Sequence, residues 1–316
     1  MAALVIGLHV PAAQAARPVE QMGVGLRAQA QYSAQWSFKV LHDPERVRVL
    51  DGKPHPVATF TVGARTVTLR GPLRILAEPA TTSATVRSKT WVRLLARPFN
   101  GRVDVDWLRA RLADRRPDVI AIALQYVTDA PLVRSAAGAV IGGDADYGPL
   151  QADGTRAEGS DFNDYLGLTW TYDDGPDRAE GEQLGSLDCS GFIRMVWGFR
   201  LDVPLVLRPD ARGLARRSFE LLQSGPGVVT VPNTGRAPSS STQLLPGDLV
   251  FFDANRDDGD RIDHVGLYLG RDSAGARRFV SSRKTVNGPT LGDVGGRSVL
   301  TGTGLYAMSW RAARRL

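Results

Sequence analysis

The side chains of this sequence that could form a nucleophile and its base are one cysteine and four histidines. The cysteine, Cys189, lies in the segment "LDCSGFIRMVWG", directly after Asp188. Aspartate is a favoured helix N-cap residue, and apolar residues recur at helical spacing from Phe192 to Phe199. Cys189 is therefore predicted in the first turn of a buried helix, where unpaired backbone N–H groups and the helix dipole lower a thiol pKa. A buried, inert thiol is the alternative, because free cysteine is commonly buried.

His264 is the histidine best placed to serve as the base. It opens "HVGLYLG", an alternating strand pattern, and the preceding "LPGDLVFF" combines a turn with an apolar strand. The two strands, joined by the acidic loop 253–263, predict a hairpin. Packing of the Cys189 helix on that hairpin would bring a thiol and an imidazole together. A purely structural histidine is the alternative.

The blocks "LDCSGFIRMVWG", "LPGDLVFF" and "HVGLYLG", in that order, resemble the NlpC/P60 family of papain-like cysteine peptidases. These are bacterial cell-wall hydrolases that typically cut the γ-D-glutamyl–diamino acid bond of peptidoglycan stem peptides. The matched blocks run from about residue 187 to residue 280. The resemblance implies an α+β, papain-like fold in which a helix bearing the cysteine packs on an antiparallel sheet.

Carried over by position, the resemblance implies that Cys189 is the catalytic nucleophile and His264 the general base. The thiolate would attack an amide carbonyl, and the backbone N–H groups of Cys189 and Ser190 would stabilise the oxyanion. The implied substrates are peptidoglycan stem peptides. The reaction needs no cofactor and no metal.

The third catalytic position is where the sequence departs from the family, which usually has His, Asn or Gln on the strand after the catalytic histidine. Here that strand reads "RRFVSSRKT", and the matching residue is Ser281. Ser282 is the alternative, because a shift of one residue exchanges the faces of a strand. A hydroxyl can accept from an imidazole N–H but orients the ring less firmly than an amide. We expect an effect on rate rather than on reaction type.

Four further side chains are candidate substrate contacts. The family often has an aromatic residue upstream of the cysteine that lines the site, and Tyr165 or Tyr172 could fill that role. Arg283, together with its neighbour Lys284, could hold a carboxylate of the stem peptide. A solvated strand end is the alternative for these two basic residues.

The acidic loop "DANRDDGDRIDH" is similar to a calcium-binding loop but lacks its required residues. The EF-hand pattern needs glycine at its sixth position and glutamate at its twelfth, where this loop has Asp258 and His264. The sequence therefore predicts a charged hairpin loop rather than a metal site.

The first residues, "MAALVIGLHVPAAQAARP", predict a signal peptide over 1–16. An apolar run precedes an A-x-A cleavage pattern, but the basic start of a typical signal is missing. A misassigned start or a disordered N-terminus is the alternative. The run is too short to span a bilayer. We therefore expect a secreted or cell-wall-associated bacterial protein without a membrane span.

Two domains are predicted after the signal peptide. Residues 17–135 are expected to form a smaller α+β domain, with a hairpin over 57–69, a strand over 84–94 and a helix over 104–112 capped by Asp104 or Asp106. Residues 118–127 read as a buried strand or helix, and the sequence indicates no chemistry in this domain. Residues 136–316 are expected to form the catalytic domain, which includes a structured, aromatic loop over 142–185.

Composition narrows the function classes. The chain is 43% hydrophobic, as expected of a folded globular protein, and carries a net charge of +6. Basic character suits an anionic surface such as a cell wall, but the charges are dispersed and no nucleic-acid-binding pattern is present.

We predict a peptidoglycan endopeptidase. An N-acetylmuramoyl-L-alanine amidase, an acyl transferase with the same Cys–His pair, and an inactive wall-binding protein are the alternatives. The sequence does not indicate the oligomeric state.

Overall fold

The computed structural model describes residues 35–78, 81–210, 212–255, 257, 259 and 261–316. The predicted signal peptide, 1–16, and the start of the first predicted domain lie outside the described residues. Within the described ranges, no helix has the length and apolar character needed to cross a membrane.

The first part of the described chain is a five-stranded antiparallel sheet in sequential order. Its strands are β1 (Ser37–Leu41), β2 (Arg46–Leu50), β3 (Ala58–Thr61), β4 (Thr66–Leu76) and β5 (Val86–Leu94). The β3–β4 pair confirms the predicted hairpin, and its turn uses Gly63 at a φ of +84°, a conformation that favours glycine. Helix α1 (Val105–Ala113) also confirms its prediction, because Asp104 caps it by accepting from two backbone N–H groups.

Residues 118–127 form a helix rather than a strand. Helix α2 (Val119–Ala123) continues into a short 3-10 turn, and Asp118 caps it. The Asp118 carboxylate also pairs with Arg74 of β4 at 2.6 Å and accepts from the backbone of Val92 in β5 at 2.7 Å. This one side chain therefore connects the first sheet to the helix that follows.

The predicted structured loop contains several short elements. They are β6 (Val133–Arg134), β7 (Val140–Gly142), α3 (Phe162–Leu166), β8 (Trp170–Tyr172) and β9 (Gly175–Asp177). Phe162 is buried in the largest hydrophobic cluster of the described residues, called the large core below. Asp161 forms an ion pair at 2.9 Å with the fully buried Arg194. These anchors explain why a Gly- and Asp-rich segment packs as ordered structure.

The second part of the described chain is a six-stranded sheet in the order β10-β15-β11-β12-β13-β14. Its strands are β10 (Val228–Val231), β11 (Leu249–Phe252), β12 (His264–Arg271), β13 (Arg277–Arg283), β14 (Gly288–Thr290) and β15 (Trp310–Arg315). The neighbouring strands are antiparallel. The β11–β12 pair confirms the predicted hairpin.

Three helices accompany this sheet. They are α4 (Cys189–Ile193), which continues as a π-helical segment (Arg194–Phe199), α5 (Ser218–Ser224) and α6 (Leu305–Ser309). Alternation along β12 separates the two faces of the sheet. Val265 and Leu267 join α4 in the large core, whereas Tyr268 joins a second cluster with Phe279 and Tyr306. The mixture of helices and antiparallel sheet is an α+β fold.

Residues at the end of β15 hold the two sheets together. Arg315 forms a buried ion pair with Asp248 at 2.7 Å and donates to the Thr61 hydroxyl of β3 at 2.6 Å. The carbonyl of Leu316 accepts from the backbone N–H of Thr66 at 2.7 Å. The first sheet is therefore bonded directly to the central strands of the second.

Candidate active site

Asp188 fixes the start of the helix that bears the cysteine, as predicted. Its carboxylate accepts from the backbone N–H groups of Gly191 at 2.8 Å and Gly159 at 3.1 Å, and pairs with Arg216 at 2.7 Å. Burial alone would raise the pKa of Asp188, but Arg216 and these hydrogen bonds bring that pKa below its usual value. A charged cap therefore lies beside Cys189, the first residue of α4.

The sulfur of Cys189 lies against the backbone on both sides of His264. Its S–H group donates to the carbonyl of Asp263 at 3.8 Å, and the backbone N–H of Val265 donates to the sulfur. Strand β12 begins at His264, so the nucleophile candidate is placed at the start of the strand that carries the base candidate.

His264 is only 8% exposed. Its ring packs against Phe252, on the neighbouring strand, with centroids 5.7 Å apart, and against Tyr306 of α6 with centroids 5.3 Å apart. Its Nε2 atom is buried and has no hydrogen-bond partner among the described residues. The ring is thus held by aromatic contacts.

The predicted lowering of the Cys189 pKa is wrong. Burial of the sulfur raises the pKa of the thiol, and the neighbouring Asp188 carboxylate raises it further. The position at a helix start does not outweigh these two effects. Burial also lowers the pKa of His264 to about 3, with a smaller contribution from the positive charge of Arg283. In the described conformation the pair is a neutral thiol and a neutral imidazole.

Neither serine of "VSSRK" bonds to the imidazole in the described structure. The Ser281 hydroxyl accepts from Nε of Arg283 at 3.1 Å. The Ser282 hydroxyl donates to the carbonyl of Leu187 at 2.5 Å. Two residues apart on one strand, Ser281 and Arg283 share a face, and this guanidinium occupies the hydroxyl that was expected to orient His264. Ser282 instead ties β13 to the segment before the Asp188 cap.

The alternative of a solvated strand end is wrong for Arg283, which is 2% exposed. Its guanidinium donates to the Gly296 carbonyl at 2.5 Å and the Ser298 hydroxyl at 2.6 Å. Lys284, in contrast, is exposed and pairs with Glu158 at 2.7 Å.

Tyr165 and Tyr172 do not line the site. The Tyr165 hydroxyl donates to the carbonyl of Gly143 at 3.1 Å, and the Tyr172 hydroxyl accepts from the buried Arg194. Both rings belong to the large core, so their packing removes them from a substrate's reach.

Tyr147 is the upstream aromatic residue that lies beside Cys189, and the sequence patterns did not single it out. Burial raises the pKa of its hydroxyl, with further contributions from Cys189 and Asp188. It is part of "DADYG" in the aromatic loop. The nearby bridge between Asp146 and Ser186, which brings that loop to the helix start, is a long-range contact without a local signal.

A cleft of about 680 Å³ opens onto the pair. Tyr147, Cys189, His264, Arg283 and Tyr306 all contribute to it. Its other polar lining residues, most of them charged, include Glu158, Arg217, Asn255, Arg261, Asp263 and Lys284. A cleft of this character suits a polar, charged ligand.

The acidic loop contributes to the cleft through its backbone. The Asp263 carboxylate accepts from the N–H groups of Ala254 at 2.8 Å and Asn255 at 2.6 Å, which closes the base of the loop. Within the described ranges, no group of three or more His, Cys, Asp or Glu side chains could hold a metal ion. Asp258, which occupies the critical glycine position of the calcium pattern, lies outside the described residues.

Comparison with known families agrees with this geometry. Residues 174–289 match the model of the NlpC/P60 family. The match supports the assignment of this segment to the NlpC/P60 family. The matched segment contains Cys189, His264 and Ser281 and ends in β14. The family generally comprises cysteine-type hydrolases that act on the cell wall, so the match suggests this class of activity. No curated protein matches the chain.

Proposed function

We propose that the chain is a cysteine endopeptidase that hydrolyses the γ-D-glutamyl–diamino acid bond of peptidoglycan stem peptides. The observation that carries the proposal is the location of the Cys189 sulfur. At a charged cleft, the sulfur is hydrogen-bonded to the backbone groups of Asp263 and Val265, the two residues that flank His264. A thiol and an imidazole that line the same cleft are the two groups that covalent amide hydrolysis requires.

The reaction begins from the neutral pair. His264 takes the proton of Cys189 as the sulfur attacks the amide carbonyl, which forms the carbon–sulfur bond and a tetrahedral oxyanion. The carbon–nitrogen bond breaks as protonated His264 gives its proton to the leaving amine. A water molecule then attacks the thioester, with His264 again as the base. The acyl group leaves as a carboxylate and Cys189 regains its proton.

The start of α4 supports stabilisation of the oxyanion. The first intrahelical bond runs from the N–H of Phe192 to the carbonyl of Asp188 at 2.9 Å, and the N–H of Gly191 is taken by the Asp188 side chain. The N–H groups of Cys189 and Ser190 precede these bonds and have no intrahelical partner. They are the donors we assign to the oxyanion.

We also propose the papain-like arrangement and the domain division. The Cys-bearing helix packs on the face of an antiparallel sheet that carries Val265 and Leu267, which fits that arrangement. Residues 136–316 would be the catalytic domain and residues 17–135 the accompanying domain. A signal peptide over 1–16 would direct the protein to the cell wall, where its substrate is.

The test uses the purified protein and purified peptidoglycan. Mass spectrometry of the digest should show new N-terminal diamino acid ends, and Cys189→Ala should abolish them. Ser224→Ala is a matched control, because within the described part of the chain that hydroxyl donates to the Glu220 carbonyl of its own helix and lies outside the cleft lining. Free lactyl ends would show an amidase instead. Cleavage that survives Cys189→Ala would overturn the mechanism.

A wall-binding protein without catalysis is the second candidate, and two observations favour it. The His264 Nε2 atom has no partner among the described residues, and the raised pKa of Cys189 disfavours the thiolate. This candidate predicts binding to insoluble peptidoglycan in a pull-down, no digestion products, and no labelling of Cys189 by iodoacetamide. Labelling of Cys189 with the production of new peptide ends excludes it.

A further inference from the structure

The buried imidazole of His264 needs something other than Ser281 to fix its orientation. Ser281 accepts from Arg283, and Nε2 of His264 is unpartnered within the described chain. An imidazole free to rotate would lose proton-transfer geometry, and a misplacement of about 1 Å can cost about a hundredfold in rate. The ring must therefore be held by its packing.

Tyr306 supplies the nearest aromatic contact. Its ring lies 5.3 Å from the imidazole, tilted by 36°, and meets Phe252 and Phe279 edge-on at 5.4 Å each. Phe252 and Phe279 are themselves 4.8 Å apart. Tyr306 is therefore fixed by two rings of the sheet, and it lines the cleft together with His264.

Arg283 adds a further contact to Tyr306. Its guanidinium carbon lies 4.2 Å from the centroid of the Tyr306 ring, a cation–π distance. Bonds to Ser281, Gly296 and Ser298 hold the guanidinium in place. The arginine thus links β13 to the ring of α6 that contacts the histidine.

We propose that Tyr306, held by Arg283, is the positioning residue for His264. The pair of Tyr306 and Arg283 then replaces the hydrogen-bonding third residue of the family. The proposal rests on the proposed function, since it concerns the base of that reaction. Tyr306 acts on the orientation of the imidazole and takes no part in bond making.

The pair of Tyr306 and Arg283 also sets the charge around the imidazole. Arg283 disfavours the protonated ring and Asp188 favours it. Tyr306, which contacts the ring, and Cys189, which lines the same cleft, are neutral groups because burial raises the pKa of each. Removing the charge of Arg283 should therefore raise the pKa of His264 and move the acidic limb of the activity profile to higher pH. That shift reports the charge of Arg283, whereas the kcat values of the Tyr306 variants report the orientation of the imidazole.

The test compares matched variants of the full chain. Tyr306→Leu removes the ring and should lower kcat by about 10- to 100-fold with a KM change below about threefold. Tyr306→Phe keeps the ring and should rescue kcat to within about threefold of wild type. Ser281→Ala removes only one bond to Arg283 and should lower kcat by less than about fivefold. Arg283→Met should shift the acidic limb upward by about half a unit or more.

Two results would overturn the proposal. One is a Ser281→Ala variant that loses as much kcat as Tyr306→Leu, because it would restore the serine as the orienting residue. The other is an Arg283→Met profile with an unchanged acidic limb. If Tyr306→Leu does not fold, the comparison of Tyr306→Phe with Ser281→Ala and the Arg283→Met profile still decide.

A measurement without substrate separates this proposal from the proposed function. The pH profile of Cys189 alkylation by iodoacetamide reports on the reactivity of the thiol without substrate. If wild type fails to cut stem peptides while Tyr306→Leu, but not Tyr306→Phe, changes the alkylation profile, the peptidase assignment fails and the positioning role stands. If wild type cuts stem peptides but shares one alkylation profile with Tyr306→Leu, the peptidase assignment stands and the positioning role fails.

Discussion

Replacement of His264 by glutamine should change how the stability of the protein depends on pH. Burial lowers the pKa of His264 from 6.5 to about 3 in the folded chain. The unfolded chain therefore binds one more proton than the folded chain at pH values between these two. The stability associated with the neutral ring is fully present above pH 6.5 and is lost as the pH falls toward 3.

The magnitude follows from the size of that interval. Each pH unit below the unfolded pKa costs about 1.4 kcal/mol, so lowering the pH from about 7 to about 4.5 should remove about 3 kcal/mol of unfolding free energy. His264→Gln has no titrating group at this position and lacks this contribution. Every other carboxyl and imidazole is common to the two proteins, so the difference between their curves isolates His264.

The assay is urea denaturation of wild type and His264→Gln at half-unit pH steps across this range, with equal m-values as the check on two-state behaviour. As the pH falls from about 7 to about 4.5, the unfolding free energy of wild type should fall by about 3 kcal/mol relative to that of His264→Gln. Parallel curves across the range would refute the reasoning, because they would mean that the ring is protonated equally easily in both states.

Three further changes test other parts of the structure. Asp188→Asn keeps a capping oxygen but removes the charge that pairs with the partly exposed Arg216, which retains a longer pair with Asp161 at 3.7 Å. It should cost about 2 kcal/mol in urea denaturation and speed alkylation of Cys189 near pH 8 by lowering the thiol pKa; slower alkylation would contradict this. Phe162→Ala opens a cavity in the large core and should cost about 3 to 5 kcal/mol in unfolding free energy. Lys284→Ala breaks an exposed ion pair with Glu158 and should change the unfolding free energy by less than about 1 kcal/mol; a larger loss in urea denaturation would contradict a weak, solvent-screened pair.

The elements of the site were predictable where the signal is local. Asp188 caps a helix whose apolar spacing is readable in the sequence, and the alternation after His264 defines a strand. The family blocks carry the order of these elements. The hairpin of β11 and β12 follows from the same patterns.

The contacts that set the chemistry were not predictable, because they join distant parts of the chain. Tyr306 comes from α6, and nothing in "LYAMSW" marks it as a neighbour of the histidine. Tyr147, from the aromatic loop, lies near Cys189, and Arg283 donates a hydrogen bond to the Ser281 hydroxyl. The pKa of Cys189 was mispredicted for the same reason: the helix start is local, whereas burial depends on the whole fold.

The position of β15 in the interior of the second sheet has a consequence for the timing of assembly. β15 separates β10 from β11, so the sheet cannot close until residues 310–315 have been synthesised. A nascent chain stopped at residue 309 should therefore be open to proteolysis, and its Cys189 should be alkylated faster than in the full chain, because the burial that raises the thiol pKa is lost. The sheet that carries the candidate site would thus be complete only once nearly all of the described chain has emerged.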